Sequence, residues 1–200
     1  MKYLNEPVKK TIVNNLIFKL HKIIGWEMGE GPPPGSYIYI SEHTSNWDFI
    51  HGIFYYKILN LNGYFAIAEE KTKYIPFNIC KFFRILPIPR TSSGLKILID
   101  ELKKNNASIY IAPEGTRNLT DGWKPGFHVL AKKFKMPIVI VGVGYNIKKH
   151  LTLGIVDAGK DVEETIERCK AVLDANSNIA PLHPKKLSPR CLAEKYRKNY

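Results

Sequence analysis

Two short stretches of this chain hold residue types that can do chemistry together. The first is "SEHTSNWDF", Ser41 to Phe49, in which a histidine precedes an aspartate by five positions. An imidazole ordinarily titrates near neutrality, so His43 could take a proton from a hydroxyl at working pH. A carboxylate on its other ring nitrogen would fix the tautomer and stabilise the imidazolium, the orienting logic of a triad without its nucleophile. Spacing restricts how this can happen. In a helix, five residues turn about 500°, leaving the two side chains about 140° apart. In a strand, odd spacing sends them to opposite faces. Only a strand that ends near His43 and turns into a helix near Ser45 or Asn46 lets the pair meet, and Thr44, Ser45 and Asn46 are all competent caps for that helix. The alternative is an aspartate at a helix start beside an exposed histidine. Spacing alone leaves both open.

The second stretch is "APEGTRNLTDGWKPGF". An apolar run, "SIYIA", meets Pro113, and Glu114, Gly115, Thr116 and Arg117 follow in a row. Gly115 allows a positive φ or a close backbone approach to a ligand. Thr116 offers a hydroxyl and Arg117 a planar fork of donors suited to phosphate. A phosphate clamp fits this loop, and so does a plain turn whose arginine is solvated or paired with Glu114. Arg90, after "RILPI" and Pro89, is a candidate second cation.

What is missing narrows the chemistry. There is no G-x-S-x-G elbow and no Walker loop, and "GVGYN" lacks the third glycine of a dinucleotide fingerprint. The histidines do not cluster at metal-ligand spacing, so no metal site is expected. Cys80, Cys169 and Cys191 are odd in number and far apart, which argues against a disulfide framework and suits a reducing compartment. A base, its orienter and an anion clamp remain. That set suits direct attack of a substrate hydroxyl on an activated acyl group.

The surrounding pattern predicts the elements that must position these residues. "SYIYI", "GYFAIA", "ASIYIAP", "PIVIVGVGY" and "LTLGIV" read as strands, and "ILPIP" as an edge strand at best, given its prolines. "NWDFIHGIFYYKIL", "SGLKILIDELKK", "GFHVLAKKF" and "DVEETIERCKAVLDA" read as helices, and "YIPFNICKFF" as a short one disturbed by Pro76. Ser92 or Ser93 is the expected cap of the second of these helices, and Asp161 with Glu164 the capping box of the fourth. Such alternation predicts an α/β fold: a mixed, largely parallel central sheet with helices on both faces. Function in such sheets collects at the carboxyl ends of strands, where both motifs fall.

Ahead of "GPPPG", the segment from Val8 to Trp26 predicts an amphipathic helix. Ile12, Leu16, Leu20 and Ile23 form its apolar stripe, and lysines and asparagines lie mostly opposite. The stripe either packs on the sheet or lies in a membrane interface. The expected organisation is this helical segment over 1–30, one domain over 36–180 and a basic tail over 181–200. A formal charge of +12 implies an acidic partner, whether nucleic acid, anionic lipid or a phosphorylated metabolite. The basic residues are spread along the chain with no recognition helix or aromatic RNA-binding signature, so no nucleic acid is expected. A non-enzymatic protein binding nucleic acid or an anionic membrane is the alternative of a different class. No apolar run is long enough to span a bilayer, and no secretory cleavage site follows the N-terminus.

"HTSNWD" followed by "PEGTR" resembles the glycerolipid acyltransferases, the group that contains the 1-acylglycerol-3-phosphate acyltransferases. The resemblance runs from about Tyr37 to Tyr145 and takes in "ILPIPR", "WKPGFHVLA" and "MPIVIVGV". It implies that His43 deprotonates an acceptor hydroxyl and that Asp48 orients His43. Gly115, Thr116 and Arg117, with Arg90, would bind the acceptor's phosphate, and Glu114 would hold the loop or touch the acceptor. The implied acceptor is a lysophosphatidate-like lysophospholipid, with other lysophospholipids or alcohols as alternatives. The implied donor is a coenzyme A or acyl-carrier-protein thioester, a co-substrate; no cofactor is implied. The expected location is cytoplasmic, at an anionic membrane surface. One departure stands at the block ending in Arg90: relatives often carry glycines there, whereas this chain has Arg84, Ile85 and Pro89.

Overall fold

A computed structural model describes residues 12–118 and 122–183. The expected helix start at Val8, Cys191 and nearly all of the expected tail lie outside those residues. Helix α1 (Ile12–Ile23) and the two-residue strand β1 (Glu27–Met28) lead into β2 (Ile38–Ser41) and α2 (Asn46–Ile58). Next come β3 (Gly63–Ala68), the single turn α3 (Glu69–Thr72), α4 (Phe77–Phe82) and β4 (Ile85–Ile88). Then follow α5 (Ser92–Asn105), β5 (Ser108–Ile111), α6 (Gly126–Phe134), β6 (Ile138–Gly144), β7 (Lys149–Val156) and α7 (Val162–Ala175).

The strands form one sheet in the order β1-β7-β6-β2-β5-β3-β4. Every pairing is parallel except β6 with β7, so the sheet is mixed and largely parallel. Central β2 shows why its sequence is apolar at successive positions: both its faces are covered. Ile38 and Ile40 pack with Leu98, Phe127, Leu130 and Ile166 from α5, α6 and α7. Tyr39 turns the other way, toward Ile53, Tyr55 and Tyr56 of α2, and stacks on Tyr110 of β5 with ring centroids 4.3 Å apart. Full burial of each such aliphatic or aromatic side chain stabilises the fold by about 1.5–3 kcal/mol. Register pairs Ile38 with both Ile109 and Ile138, so the strand ends that carry the two motifs finish side by side.

Edge position explains the proline of β4, because Pro87 cannot donate to a ladder and among the described residues β4 has β3 alone beside it. Helix α4 begins directly after Pro76. At α5 the cap is Thr91, one residue ahead of the expected serines. At α7 Asp161 accepts the Glu164 amide at 2.8 Å, but the Glu164 carboxylate turns to the Lys160 amide instead of closing the box. Strand β1 and the turn α3 are too short to leave a period in the sequence.

Helix α1 departs from simple amphipathic packing. It lies against α2, yet from position 14 onward the residues it buries are Asn14 and His21. The apolar stripe faces outward, with Leu16, Leu20 and Ile23 exposed by 56 %, 49 % and 79 %. Of the two placements expected for the stripe, the exposure of Leu16, Leu20 and Ile23 favours the outward one.

Candidate active site

The turn between β2 and α2 has the bend that the His43–Asp48 spacing requires. Strand β2 stops at Ser41, and Ser45 caps α2 in an extended conformation, its hydroxyl accepting the Trp47 amide. Asp48 closes the capping box. Its Oδ2 accepts the backbone N–H groups of Thr44 at 2.6 Å and Ser45 at 2.7 Å. Its Oδ1 accepts the Tyr145 hydroxyl at 2.8 Å. His43 Nδ1 stands 3.5 Å from the same Oδ2. The two local readings of the motif are thus not exclusive: one carboxylate caps the helix and faces the imidazole. Burial pushes the Asp48 carboxyl up, but hydrogen bonds from His43, the Ser45 amide, Tyr145 and the Thr44 amide outweigh it and hold the group below the usual carboxylate range.

The second motif arrives from β5, the neighbour of β2. Gly115 has φ +65°, a conformation glycine adopts at little cost, and its N–H donates to the Ala112 carbonyl at 3.0 Å. A Cβ there would stand 2.9 Å from Lys124 Nζ, so the loop and this lysine are close-packed. Arg117 donates through Nη1 to the Asn46 side-chain oxygen and so links the clamp loop to the first turn of α2. Arg90 comes from the β4–α5 loop. There Gly94 lets α5 press on the Pro89 carbonyl, which a Cβ would meet at 2.3 Å. Arg90 Nε donates to Glu70 Oε1 at 2.5 Å.

These groups share one cleft of about 900 Å³ at the carboxyl ends of the strands. His43, Asp48, Arg90, Gly115, Thr116 and Arg117 line it, together with Lys71 and Lys124. Much of the remaining wall is apolar, including Phe49, Phe65, Ile67, Leu95, Leu98 and Phe127. The arrangement offers a proton acceptor, a cationic wall and a hydrophobic channel within one cavity.

Glu114 sits elsewhere. It is 2 % exposed and is not part of the cleft wall, a position that supports holding the loop rather than touching an acceptor. Nor does it pair with Arg117, whose partner is Asn46. Burial, with the nearby Glu42 and Asp48 carboxylates, pushes Glu114 up to about 8. Burial and Asp48 also push Glu42 up to about 8. The environment thus holds Glu114 toward its neutral form and Asp48 toward its charged one.

Sequence reasoning passed over Tyr145, Lys124 and Asn46. Tyr145 follows β6 and reaches Asp48 across 97 positions, with no local pattern to announce it. Asn46 reads as a helix cap, and its tie to Arg117 exists only in the fold. Away from the cleft, His21, His51 and His150 gather in the interior with spacing able to hold a metal ion.

Comparisons with known proteins bear on the family and the fold. The profile of the acyltransferase family matches residues 28–144, a span that holds both motifs. No curated protein matches the chain. Among solved structures, the fold is similar to the 1-acyl-sn-glycerophosphate (LPA) acyltransferase PlsC from Thermotoga maritima, with a TM-score of 0.56 and 18 % identity. That similarity covers 84 % of this chain and 80 % of the other. With the profile spanning more than half of its residues, this chain belongs to the acyltransferase family.

Proposed function

We propose that the enzyme transfers a fatty acyl chain from a coenzyme A or acyl-carrier-protein thioester to the free hydroxyl of a lysophosphatidate-like acceptor. One observation carries this reading: a single cleft joins the His43–Asp48 pair, a cationic wall and an apolar channel. His43 removes the hydroxyl proton as the oxygen attacks the thioester carbonyl, while Asp48 stabilises the imidazolium. The tetrahedral intermediate collapses, the carbon–sulfur bond breaks, and the imidazolium returns its proton to the departing thiolate. Thr116, Arg117 and the Gly115 backbone hold the acceptor's phosphate, with Arg90 and Lys124 adding positive charge. The acyl chain lies along Phe65, Leu95 and Phe127.

The same reading places the enzyme on a membrane surface, where a lysolipid is drawn from the bilayer. Among the described residues no helix is long and apolar enough to cross a membrane. Leu16, Leu20 and Ile23 of α1 instead present an exposed apolar stripe among lysines, the composition of an interfacial helix. Incubating the purified protein with liposomes, acyl-CoA and a panel of lysolipids, followed by mass spectrometry, tests the proposal. New diacyl product from lysophosphatidate is expected. Product formed only from unphosphorylated acceptors would overturn the phosphate assignment, and no transfer to any acceptor from either donor would overturn the reaction.

A further inference from the structure

Three histidines that lie far apart in the sequence meet in the interior. His21 comes from α1, His51 from α2 and His150 from β7, and all three are at most 5 % exposed. One candidate ligand nitrogen from each lies within 4.8 Å of the others. The His21 and His150 rings are 4.8 Å apart between centroids, as are those of His51 and His150. Trp26 packs on His51 at 3.9 Å, and Phe54 meets His21 edge-on, so the cluster is closed by aromatic rings.

Hydrogen bonding does not account for the cluster. His51 Nδ1 and His150 Nε2 share one hydrogen bond at 2.8 Å. Among the described residues neither nitrogen of His21 finds a partner, nor does His150 Nδ1. Buried polar atoms nearly always find a partner, and each that does not requires an explanation. Each imidazole, in its neutral form, offers one lone pair to a metal, and the candidate nitrogens already converge.

We propose that His21, His51 and His150 form a binding site for a first-row divalent cation of the zinc type, which ties α1 to α2 and β7. An all-imidazole set selects zinc, copper or nickel over magnesium and calcium. Nitrogen ligands at about 2.0–2.1 Å from a tetrahedral ion stand about 3.3 Å apart. The His51–His150 pair must therefore open by about 0.5 Å, and its shared proton moves to the outward nitrogen. The site is separate from the substrate cleft, since none of the three histidines lines it. It nevertheless adjoins the catalytic turn: His51 follows Asp48 by one turn of α2, and Tyr145 packs edge-on against both Trp26 and His51. A bound ion would brace the same helix whose first turn carries Asp48, and would fix α1 in its outward-facing orientation.

The test uses the full chain, stripped with a chelator and titrated with Co²⁺ alone and then with Zn²⁺. One Co²⁺ per chain with visible d–d absorption is expected, displaced by Zn²⁺, with Tm rising as free Zn²⁺ rises. His21→Leu and His150→Leu should lose the absorption and the Tm response while keeping the helical circular dichroism of the metal-free protein. The exposed His183→Ala should keep both. Absence of cobalt absorption together with a Tm indifferent to Zn²⁺ overturns the site. So does binding that survives both leucine variants. Should those variants fail to fold, histidine-ring ¹⁵N spectra of the unaltered chain decide: zinc shifts on the three buried rings support the site, and shifts confined to His43, His128 or His183 overturn it.

Discussion

Tyr145, at the end of β6, donates its hydroxyl to Asp48 Oδ1 at 2.8 Å, on the carboxylate oxygen that His43 does not face. It therefore acts on the imidazole only through the acid, as a positioning residue. Tyr145→Phe removes this donor while keeping the ring that packs on Trp26 and His51. A hydrogen bond to a charged group contributes about 1.5–3 kcal/mol, so denaturant unfolding at neutral pH should show a loss of that order. The sign with pH follows from Asp48. Its carboxyl is depressed in the folded state, so its contribution is present above the unfolded pKa and is lost as pH falls through the folded one. Tyr145→Phe should move Asp48 back toward ordinary carboxylates, so that acid unfolding begins at higher pH than in the unaltered protein. An unchanged acid transition would show that Tyr145 does not hold Asp48.

His43 and Asp48 should give different mutational signatures, because they carry different structural loads. His43 is partly exposed on a turn, and its side chain caps nothing. His43→Ala should lower kcat by about 10²–10⁴-fold, the usual contribution of a general base, and should touch stability only through its one contact with Asp48. Asp48 accepts two turn amides as well as Tyr145. Asp48→Ala should therefore lose rate and also about 0.5–2 kcal/mol of stability from the cap alone. Steady-state kinetics with thermal melts separate the two. A folded His43→Ala enzyme with near-normal turnover would remove the base from the mechanism.

Glu114 makes the opposite pH prediction. Its carboxyl is raised to about 8 from an ordinary value of 4.5, so the folded state holds a proton that the unfolded state releases. Stability from this group is fully present below the unfolded pKa and declines as pH rises from about 4.5 to about 8. Glu114→Gln keeps the shape and removes the proton. Its Tm should fall less than that of the unaltered chain across this interval, and parallel Tm-against-pH curves would refute the buried neutral acid.

Arg117 is bonded to a neutral amide, Asn46, and not to a carboxylate, so its charge remains available to an anionic acceptor. Arg117→Ala should chiefly raise KM for a phosphorylated acceptor and leave an unphosphorylated one little affected. Gly115→Ala should act on the same constant through strain, because φ +65° costs an L-residue about 1–2 kcal/mol and the new methyl displaces Lys124. Equal KM changes for both acceptor types would place the phosphate elsewhere.

Local physics was legible in the sequence where one element decides it. The boundaries of β3 and α6, the edge position of β4 and the Ser45–Asp48 turn follow from period, proline and capping rules that act over a few residues. What escaped depends on chain segments meeting. Tyr145 reaches Asp48 only because β6 lies next to β2, and His21, His51 and His150 become neighbours only after α1, α2 and β7 assemble. Sequence alone leaves Glu114 between holding the loop and touching the acceptor, because its neighbours Gly115, Thr116 and Arg117 share its stretch of chain and line the cleft. A loop turns successive side chains in different directions, and this one is sent inward. Helix α1 shows the same limit in reverse. Its periodicity identified the apolar stripe, but periodicity cannot say whether a stripe faces protein or something outside it.

That outward stripe makes the last prediction. Ile23 is 79 % exposed and Leu20 49 % exposed, so replacing either with serine removes little packing and should leave Tm within about 0.5 kcal/mol equivalent of the original. If the stripe enters a bilayer interface, each replacement forfeits hydrophobic transfer of about 25 cal/mol per Å² of apolar surface buried there. Sedimentation with anionic vesicles should fall for Leu20→Ser and Ile23→Ser and fall further for the double variant. Transfer to a lysolipid presented in detergent micelles at saturating concentration should stay near normal, since neither residue lines the cleft. Salt distinguishes the two parts of the attraction. Added salt should weaken the lysine contribution by screening while leaving the stripe's share largely intact. Vesicle binding indifferent to both serine replacements, yet abolished by salt, would reduce α1 to an electrostatic contact and leave its apolar face unexplained.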